Sequence, residues 1–302
     1  MPPQPHEPNP LRGPGDYLTD PVHNDTYPAI DPLTADLAGK SVFISGASRG
    51  IGRAMSLSFA KAGASFIALG ARGDMTSLVE EIMKVATAAK RTPPKVLPIK
   101  FDVTAQESID NAAAVVDKEF GKIDVVINNA GVFPAPTKIA DTDPDDWWRT
   151  WTINVRGTYL VTRAFLPLML KGGDKQIVNV CSVGAHLTLP GVSAYQTGKL
   201  AQLRFTEFIS TEYGDQGVIP FCIHPGNIPT EMTGGPEGIS DHFKHVVVET
   251  PQLSADTIIY LVKEKRQWLA GRYINCTWDM PQIMAMKDDI VKGDKLKVRM
   301  VL

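Results

Sequence analysis

Ser41-Val42-Phe43-Ile44-Ser45-Gly46-Ala47-Ser48-Arg49-Gly50-Ile51-Gly52-Arg53 joins a short apolar run to a segment of helical periodicity that continues through about Ala62. The run has the composition of a buried strand. Glycines at a strand–helix junction allow a tight turn and close backbone approach, and the free amides of the helix N-terminus suit a pyrophosphate. The spacing here is Gly-x-x-x-Gly-x-Gly, through Gly46, Gly50 and Gly52, which departs from the Gly-x-Gly-x-x-Gly fingerprint. Its position between a strand and a helix makes it a candidate nucleotide-binding turn.

Outward from this turn the chain alternates. A second strand, Ser65 to Leu69, leads into Gly70-Ala71-Arg72. At this point a dinucleotide-binding domain presents an acid to the adenosine ribose. Gly70 offers none, whereas Arg49 and Arg72 provide guanidinium groups for a ribose 2′-phosphate, which favours NADP(H) and leaves NAD(H) as the alternative. A helix over about Met75 to Lys90 precedes a strand from Val96 to Phe101, closed by Asp102-Val103. Asp102 is placed either to accept from an adenine amino group or to close its own turn. A further helix, about Ala105 to Phe120, precedes a strand from Ile123 to Ile127 that runs into Asn128-Asn129-Ala130-Gly131. This alternation predicts a parallel sheet covered on both faces.

Asp143-Pro144-Asp145-Asp146 opens the next helix with a capping aspartate, a proline at the first helical position and acids in the first turn. Trp147, Trp148 and Trp151 on it suit a core or a subunit contact, Asn154 needs partners if buried, and Pro167 ends or kinks the helix. Beyond the central stretch, Val218 to His224 has the pattern of a sixth strand, in which Pro220 implies a bulge or an edge position. His224, directly before Pro225 at the strand end, suits a structural role. Pro225-Gly226-Asn227-Ile228-Pro229-Thr230 forms another turn at the same sheet edge, and residues from about 229 to 251 suit a substrate loop. Leu253 to Lys265 is helical in pattern, and Arg272 to Cys276 is a last strand.

The candidate chemistry lies between Cys181 and Lys199. Ser182 follows the apolar run Gln176-Ile177-Val178-Asn179-Val180, and Tyr195 and Lys199 lie four apart on one helix face. Bringing a phenol of pKa about 10 to about 7 requires roughly 4 kcal/mol of preference for phenolate. An ammonium about 4 Å away supplies a term of that order at an effective dielectric of about 20. Tyr195 with Lys199 is therefore a candidate proton donor and acceptor, with the Ser182 hydroxyl holding a substrate oxygen beside the phenol.

The 302 residues leave room for one large α/β domain or two small ones. With 31 basic and 33 acidic residues, the net charge of −2 argues against nucleic acid or an anionic membrane surface as the main partner. No apolar run approaches the roughly 20 residues that cross a bilayer, and the N-terminus does not read as a secretory signal. Cys181, Cys222 and Cys276 all fall in or beside predicted strands, where core thiols of a reducing, cytoplasmic protein are expected rather than a disulfide, a metal site or a nucleophile. Nine of the 23 prolines lie in residues 1–38, which predicts an extended or disordered arm that Leu11, Tyr17, Leu18, Tyr27 and Ile30 can pin to the body or to a neighbouring subunit. Residues 39–278 form the dinucleotide-binding and catalytic domain, and 279–302 a basic, partly helical tail.

Assembled, these motifs resemble the short-chain dehydrogenase/reductase family in its single-domain form. The resemblance rests on Ser45 to Gly52, Asp102-Val103, Asn128-Asn129-Ala130-Gly131, Asn154, Ser182, Tyr195-Gln196-Thr197-Gly198-Lys199 and Pro225 to Thr230, in family order across about residues 40 to 276. It implies a doubly wound, Rossmann-like seven-stranded parallel sheet of order 3-2-1-4-5-6-7, with a nicotinamide cofactor lying across the C-terminal edge. By resemblance the cofactor is held by Gly46, Ser48, Arg49, Gly50, Ile51, Gly52, Arg72, Asp102, Val103, Asn128, Ala130, Gly131, Tyr195, Lys199, Pro225, Gly226, Ile228 and Thr230. Tyr195 would protonate the carbonyl oxygen during hydride delivery, and Ser182 would hold that oxygen. Lys199 would lower the tyrosine pKa and bind the nicotinamide ribose, and Asn154 would position a proton-relaying water. Gly198 stands where the family often has a bulkier small residue, and the arm and tail lie outside the common core.

The expected activity is NADP(H)-dependent interconversion of a ketone and a secondary alcohol. Its pocket would be lined by Phe133, Val183, Ala185, His186, Leu189, Val192, Asn227 and Ile228, a largely apolar set that suits a hydrophobic small molecule. Two rivals are an NAD-linked alcohol dehydrogenase and a dinucleotide-binding protein with a non-redox role. The first would be supported by an acid in place of Gly70; the second has no need of Asn154, Ser182, Tyr195 and Lys199 together. The resemblance also implies a homodimer or homotetramer packed through the helices that begin near Asp143 and Tyr195.

Overall fold

A computed structural model describes residues 15–235 and 246–300. Seven strands, β1 (Ser41–Ser45), β2 (Phe66–Ala71), β3 (Lys95–Lys100), β4 (Val125–Asn128), β5 (Gln176–Val180), β6 (Ile219–His224) and β7 (Tyr273–Asn275), form one sheet in the order 3-2-1-4-5-6-7. Every pairing is parallel. A parallel sheet needs both faces covered, and the central strands show it: Val42 and Ile44 of β1 enter one core while Phe43 between them enters the other. The first core lies under α1 (Gly50–Lys61), α2 (Thr76–Ala88) and α7 (Pro251–Val262). The second lies under α3 (Gln106–Phe120), α5 (Gly157–Leu170) and α6 (Ser193–Tyr213), with Phe43 stacked on Phe165 at 4.2 Å.

The helix opened by Asp143 is not continuous. Asp143 caps α4 (Pro144–Trp151) through the amides of Asp145 and Asp146, and a single π turn, Thr152–Arg156, separates it from α5. Pro167 lies within α5, which continues to Leu170. Pro220 marks neither a bulge nor an edge: it pairs with Ile177 in β6, an interior strand. The reason is positional. The Pro220 carbonyl accepts from Gly271 N–H, so its ring nitrogen faces the same side, ahead of the Cys222–Tyr273 pairing at which β7 begins.

Residues 15–38 are folded onto the body rather than extended or disordered; residues 1–14 of the expected arm lie outside the described residues. Ile30, Ala35 and Leu37 are buried in the first core, and Pro28 and Pro32 each open a 3₁₀ turn where a missing N–H costs nothing. Asp16 accepts from Asn275 at 3.0 Å, His23 pairs with Asp279 at 3.0 Å and stacks on Tyr27, and Thr26 donates to Asp256. The tail continues the same wrapping: α8 (Met280–Ala285) and α9 (Lys287–Lys292) lead to Leu296, whose carbonyl accepts from Tyr273 N–H. Trp278, only 2% exposed, closes this corner by donating its indole N–H to Gly15 O at 2.9 Å.

Trp278→Ala is therefore expected to lower the unfolding free energy by about 3–5 kcal/mol, whereas a surface substitution such as Lys292→Ala moves it by less than about 0.5 kcal/mol. Urea unfolding followed by fluorescence and circular dichroism checks this.

Candidate active site

Because all strands are parallel, their C-terminal ends share one edge, and the loops that leave it converge where β1 lies between β2 and β4. Gly46 adopts φ +70°, and a Cβ on Gly52 would lie 2.2 Å from the Gly46 carbonyl oxygen and 2.7 Å from Asn129 Nδ2. Only glycine fits, and the backbone surface so exposed is a cradle into which a pyrophosphate fits. The cradle is tied to the neighbouring strand end. Asn129 Nδ2 donates to the carbonyls of Ser45 and Gly46, and Ser45 Oγ accepts from the amides of Asn129 and Ala130. Ser45 and Asn129 sit inside the quoted motifs, but their work is to join two loops, which sequence spacing along one loop does not display.

Arg49 and Arg72 both project from this edge into solvent. Arg49 pairs with Glu231, and Thr230 Cγ2 would touch a Cβ on Gly50, so the glycine turn and the loop after β6 face one another. Arg72 helps hold the Asp102 carboxyl below its ordinary range, after the larger effect of the Thr104 amide. Asp102 Oδ1 accepts both from Thr104 N–H and from its hydroxyl at 2.8 Å, so this aspartate closes its own turn. The loop after β6 is anchored by Glu249, a buried carboxylate that accepts from Asn227 N–H at 2.8 Å and lies over Gly226. Glu249 carried no motif and was not foreseen; an acid just ahead of α7 gives no hint that it reaches back to the strand end. Part of the expected substrate loop, residues 236–245, lies outside the described residues.

Ser182 stands in extended conformation at the end of β5 and accepts from Gly184 N–H at 3.0 Å. Its hydroxyl acts on Tyr195, which lies near the start of α6, in the direction that favours phenolate. Lys199, one turn on, is 5% exposed; its Nζ lies 5.5 Å from the Tyr195 ring centroid and donates to Val180 O at 2.8 Å. The electrostatics differ from the sequence expectation. Burial pushes the Tyr195 pKa up to about 12, against a smaller downward effect of Ser182, and burial lowers that of Lys199. Desolvation disfavours both charged forms, and with the ammonium turned to a backbone carbonyl the phenol stays protonated.

Asn154 sits in the π turn, buried, with Oδ1 accepting from Val132 N–H and Nδ2 donating to Val132 O, both at 2.9 Å. This pair fixes the loop that carries Phe133, whose ring meets Tyr195 edge-on at 4.8 Å. Phe133 also lines a cavity of about 330 Å³ with Trp147, Arg149, Gly191 and Ala194. Of the other expected pocket residues, Val183, Ala185 and Val192 are buried in packing, and Leu189 is exposed with its N–H donated to Gln196. His186 does not join them: it meets Tyr273 edge-on at 4.8 Å, toward β7 and the tail. Asn227 belongs to the Glu249 anchor. The three cysteines are free and buried, and Cys181 donates its thiol to Lys199 O.

A family model for short chain dehydrogenases matches residues 40–237. The chain is a short-chain dehydrogenase. Its relatives include the short chain dehydrogenase pigC of Monascus ruber, 59% identical over 302 residues that span the whole of both chains. The crystal structure of a short-chain type dehydrogenase/reductase from Mycobacterium marinum is 27% identical, covers 82% of this chain and 97% of its own, and superimposes with a TM-score of 0.72. Carveol dehydrogenase from Mycobacterium avium in complex with NAD, 21% identical with 80% and 97% of the two chains covered, shares the fold at a TM-score of 0.70. The short-chain dehydrogenase is thus an oxidoreductase of CH–OH and C=O groups that uses a nicotinamide dinucleotide.

Gly52→Ala forces a methyl group into the Gly46 carbonyl. It is expected to weaken nicotinamide nucleotide binding at least about tenfold and to cost about 1–3 kcal/mol of stability, as read by fluorescence titration and urea unfolding.

Proposed function

We propose that this short-chain dehydrogenase is an NADP(H)-dependent ketoreductase acting on a mainly hydrophobic small molecule. The observation that carries the reading is the half-buried Ser182–Tyr195 pair beside the buried Lys199, with its phenol held neutral and Phe133 joining it to a cavity. A neutral phenol is the form that donates. Ser182 and Tyr195 hydrogen-bond the substrate carbonyl oxygen, which polarises the carbonyl and aims its carbon away from them. When bound, the nicotinamide supplies the hydride that reduces this carbon. Tyr195 then gives its proton to the developing alkoxide, so that one hydride and one proton convert the ketone to a secondary alcohol.

Lys199 holds the dinucleotide ribose and stabilises the phenolate left by proton transfer. Asn154 keeps the Phe133 loop in place through Val132. The 2′-phosphate is met by Arg49, which exchanges its surface pair with Glu231 for it, and by Arg72, with no acid at Gly70 to repel the phosphate. A Cβ on Gly70 would lie 3.0 Å from Phe43 and Phe101, so a larger side chain there has to displace two core rings. Trp148, Tyr159, Leu200 and Phe208 leave apolar surface exposed along α4, α5 and α6, which supports a homodimer or homotetramer formed through these helices. Buried free thiols suit a reducing, cytoplasmic setting.

NADPH is expected to bind at least about tenfold more tightly than NADH in fluorescence titration, a margin that falls in Arg49→Ala and Arg72→Ala. Equal binding of the two nucleotides overturns the cofactor assignment. Tyr195→Phe should lower turnover by at least about 100-fold with nucleotide affinity kept within about threefold; a variant as fast as the wild type removes the mechanism. With the phenol pKa raised, reduction requires a proton that Tyr195 already carries, and oxidation requires its loss. Initial rates between about pH 6 and about pH 9 are therefore expected to stay level for reduction and to climb with pH for oxidation.

A further inference from the structure

The π turn at Thr152–Arg156 removes a regular intrahelical donor from the carbonyls it displaces, and such a carbonyl needs another partner when buried. At Asn154 two side chains reach the carbonyl, one from the next turn and one from α6. Gln202 Nε2 donates to Asn154 O at 2.6 Å and to Thr158 Oγ1 at 2.8 Å, and Thr158 Oγ1 donates to the same Asn154 carbonyl at 2.8 Å. A carbonyl oxygen has two lone pairs, and both are used. The side-chain oxygen of Asn154 is likewise committed to Val132. The backbone carbonyl of Asn154 therefore has no lone pair left for a proton-relaying water.

The orientation of the Gln202 amide follows from these contacts. Asn154 O can only accept, so the nitrogen must face it and Oε1 must point the other way. Gln202 is 2% exposed, and among the described residues no donor reaches Oε1. Lys199 lies three residues earlier on the same helix, hence on the same face. Its ammonium carries three protons and reaches one acceptor among the described side chains and backbone, Val180 O. A buried acceptor without a donor and a buried donor group with protons to spare thus share one side of α6. Each is costly alone, and one water between them satisfies both.

We propose that Gln202 is a positioning residue for proton supply: it closes the Asn154 carbonyl and offers Oε1 as the inner acceptor of the water that links Lys199 to the exterior. This rests on the reading of Tyr195 and Lys199 given above. After Tyr195 donates its proton to the alkoxide, the phenolate regains one along Lys199 and this water. No net charge is added to the site, and the proton comes from solvent.

Three variants separate this role from packing. Gln202→Met keeps the volume and removes both polar ends, so it is expected to lower kcat at least about tenfold and enlarge the solvent deuterium isotope effect, with NADPH affinity within about twofold of wild type. Gln202→Ala opens space in which water can reach both Asn154 O and Lys199, so its kcat should fall less than about threefold although its Tm falls further than that of Gln202→Met. A packing role predicts the reverse order of rates. Gln202→Met turning over within about twofold of wild type, or Gln202→Ala as slow as Gln202→Met, overturns the proposal. Tyr195→Phe serves as the control: if it is inactive while both Gln202 variants match wild type, Gln202 has no part in the relay and the ketoreductase reading stands. If Tyr195→Phe is active, the ketoreductase mechanism fails, and the Gln202 proposal with it.

Discussion

Two peptide units, at Gly46 and Gly52, approach so closely that no side-chain carbon fits between them. This contact sets how α1 leaves β1, and through Asn129 and Ser45 it also sets how the β4 loop leaves the sheet. From the β4 loop, Val132 holds Asn154, which marks the π turn, and Gln202 connects that turn to the helix carrying Tyr195 and Lys199. The nucleotide cradle and the proton-transfer groups are therefore coupled through consecutive hydrogen bonds rather than through packing alone. Buried polar chains of this type lose most when one member loses its partner, because the group left behind is desolvated and unpaired.

The sheet order and the strand–helix alternation were legible because both follow from repeated local signals. β1 and β6 are short apolar runs that end at Gly46 and Pro225, β5 is a third such run, and the helices between them carry a clear period. What failed to show in the sequence involves side chains whose partners are distant. Residues 15–38 carry many prolines and little periodicity, yet Ile30, Ala35 and Leu37 are buried in the same core as Trp278 from the far end of the chain. Composition measures how much apolar surface a segment has and is silent on whether a matching groove exists elsewhere. Pro220 misled for a related reason: whether a missing N–H matters depends on where the next strand begins, and β7 begins late.

At the active site, Ser182, Tyr195 and Lys199 came together as their spacing implied, while the balance between them did not. The sequence argument placed an ammonium near the phenol and weighed its attraction alone. In the folded protein Lys199 is buried and turns to Val180 O while Tyr195 is half-buried, so desolvation outweighs attraction and the phenol remains an acid. His186 shows the complementary lesson. It lies within the chemically active stretch, but the 3₁₀ turn after Ser182 rotates it to Tyr273 and away from Phe133.

The segment that leads into β1 and the segment that follows β7 are bonded to one another, with Asp16 and Asn275 separated by 259 positions. During synthesis the earlier segment emerges first; Leu37 finds α1 through Ala62, but residues 15–23 have no surface to bind until the last strand and Trp278 have left the ribosome. Nucleation of the central strands can proceed beforehand, but closure of this corner is the event of highest loop-closure cost in the fold and comes late. A nascent chain halted before about residue 275 would leave residues 15–23 without partners and the β7 edge of β6 unpaired together, a surface that invites chaperones or self-association.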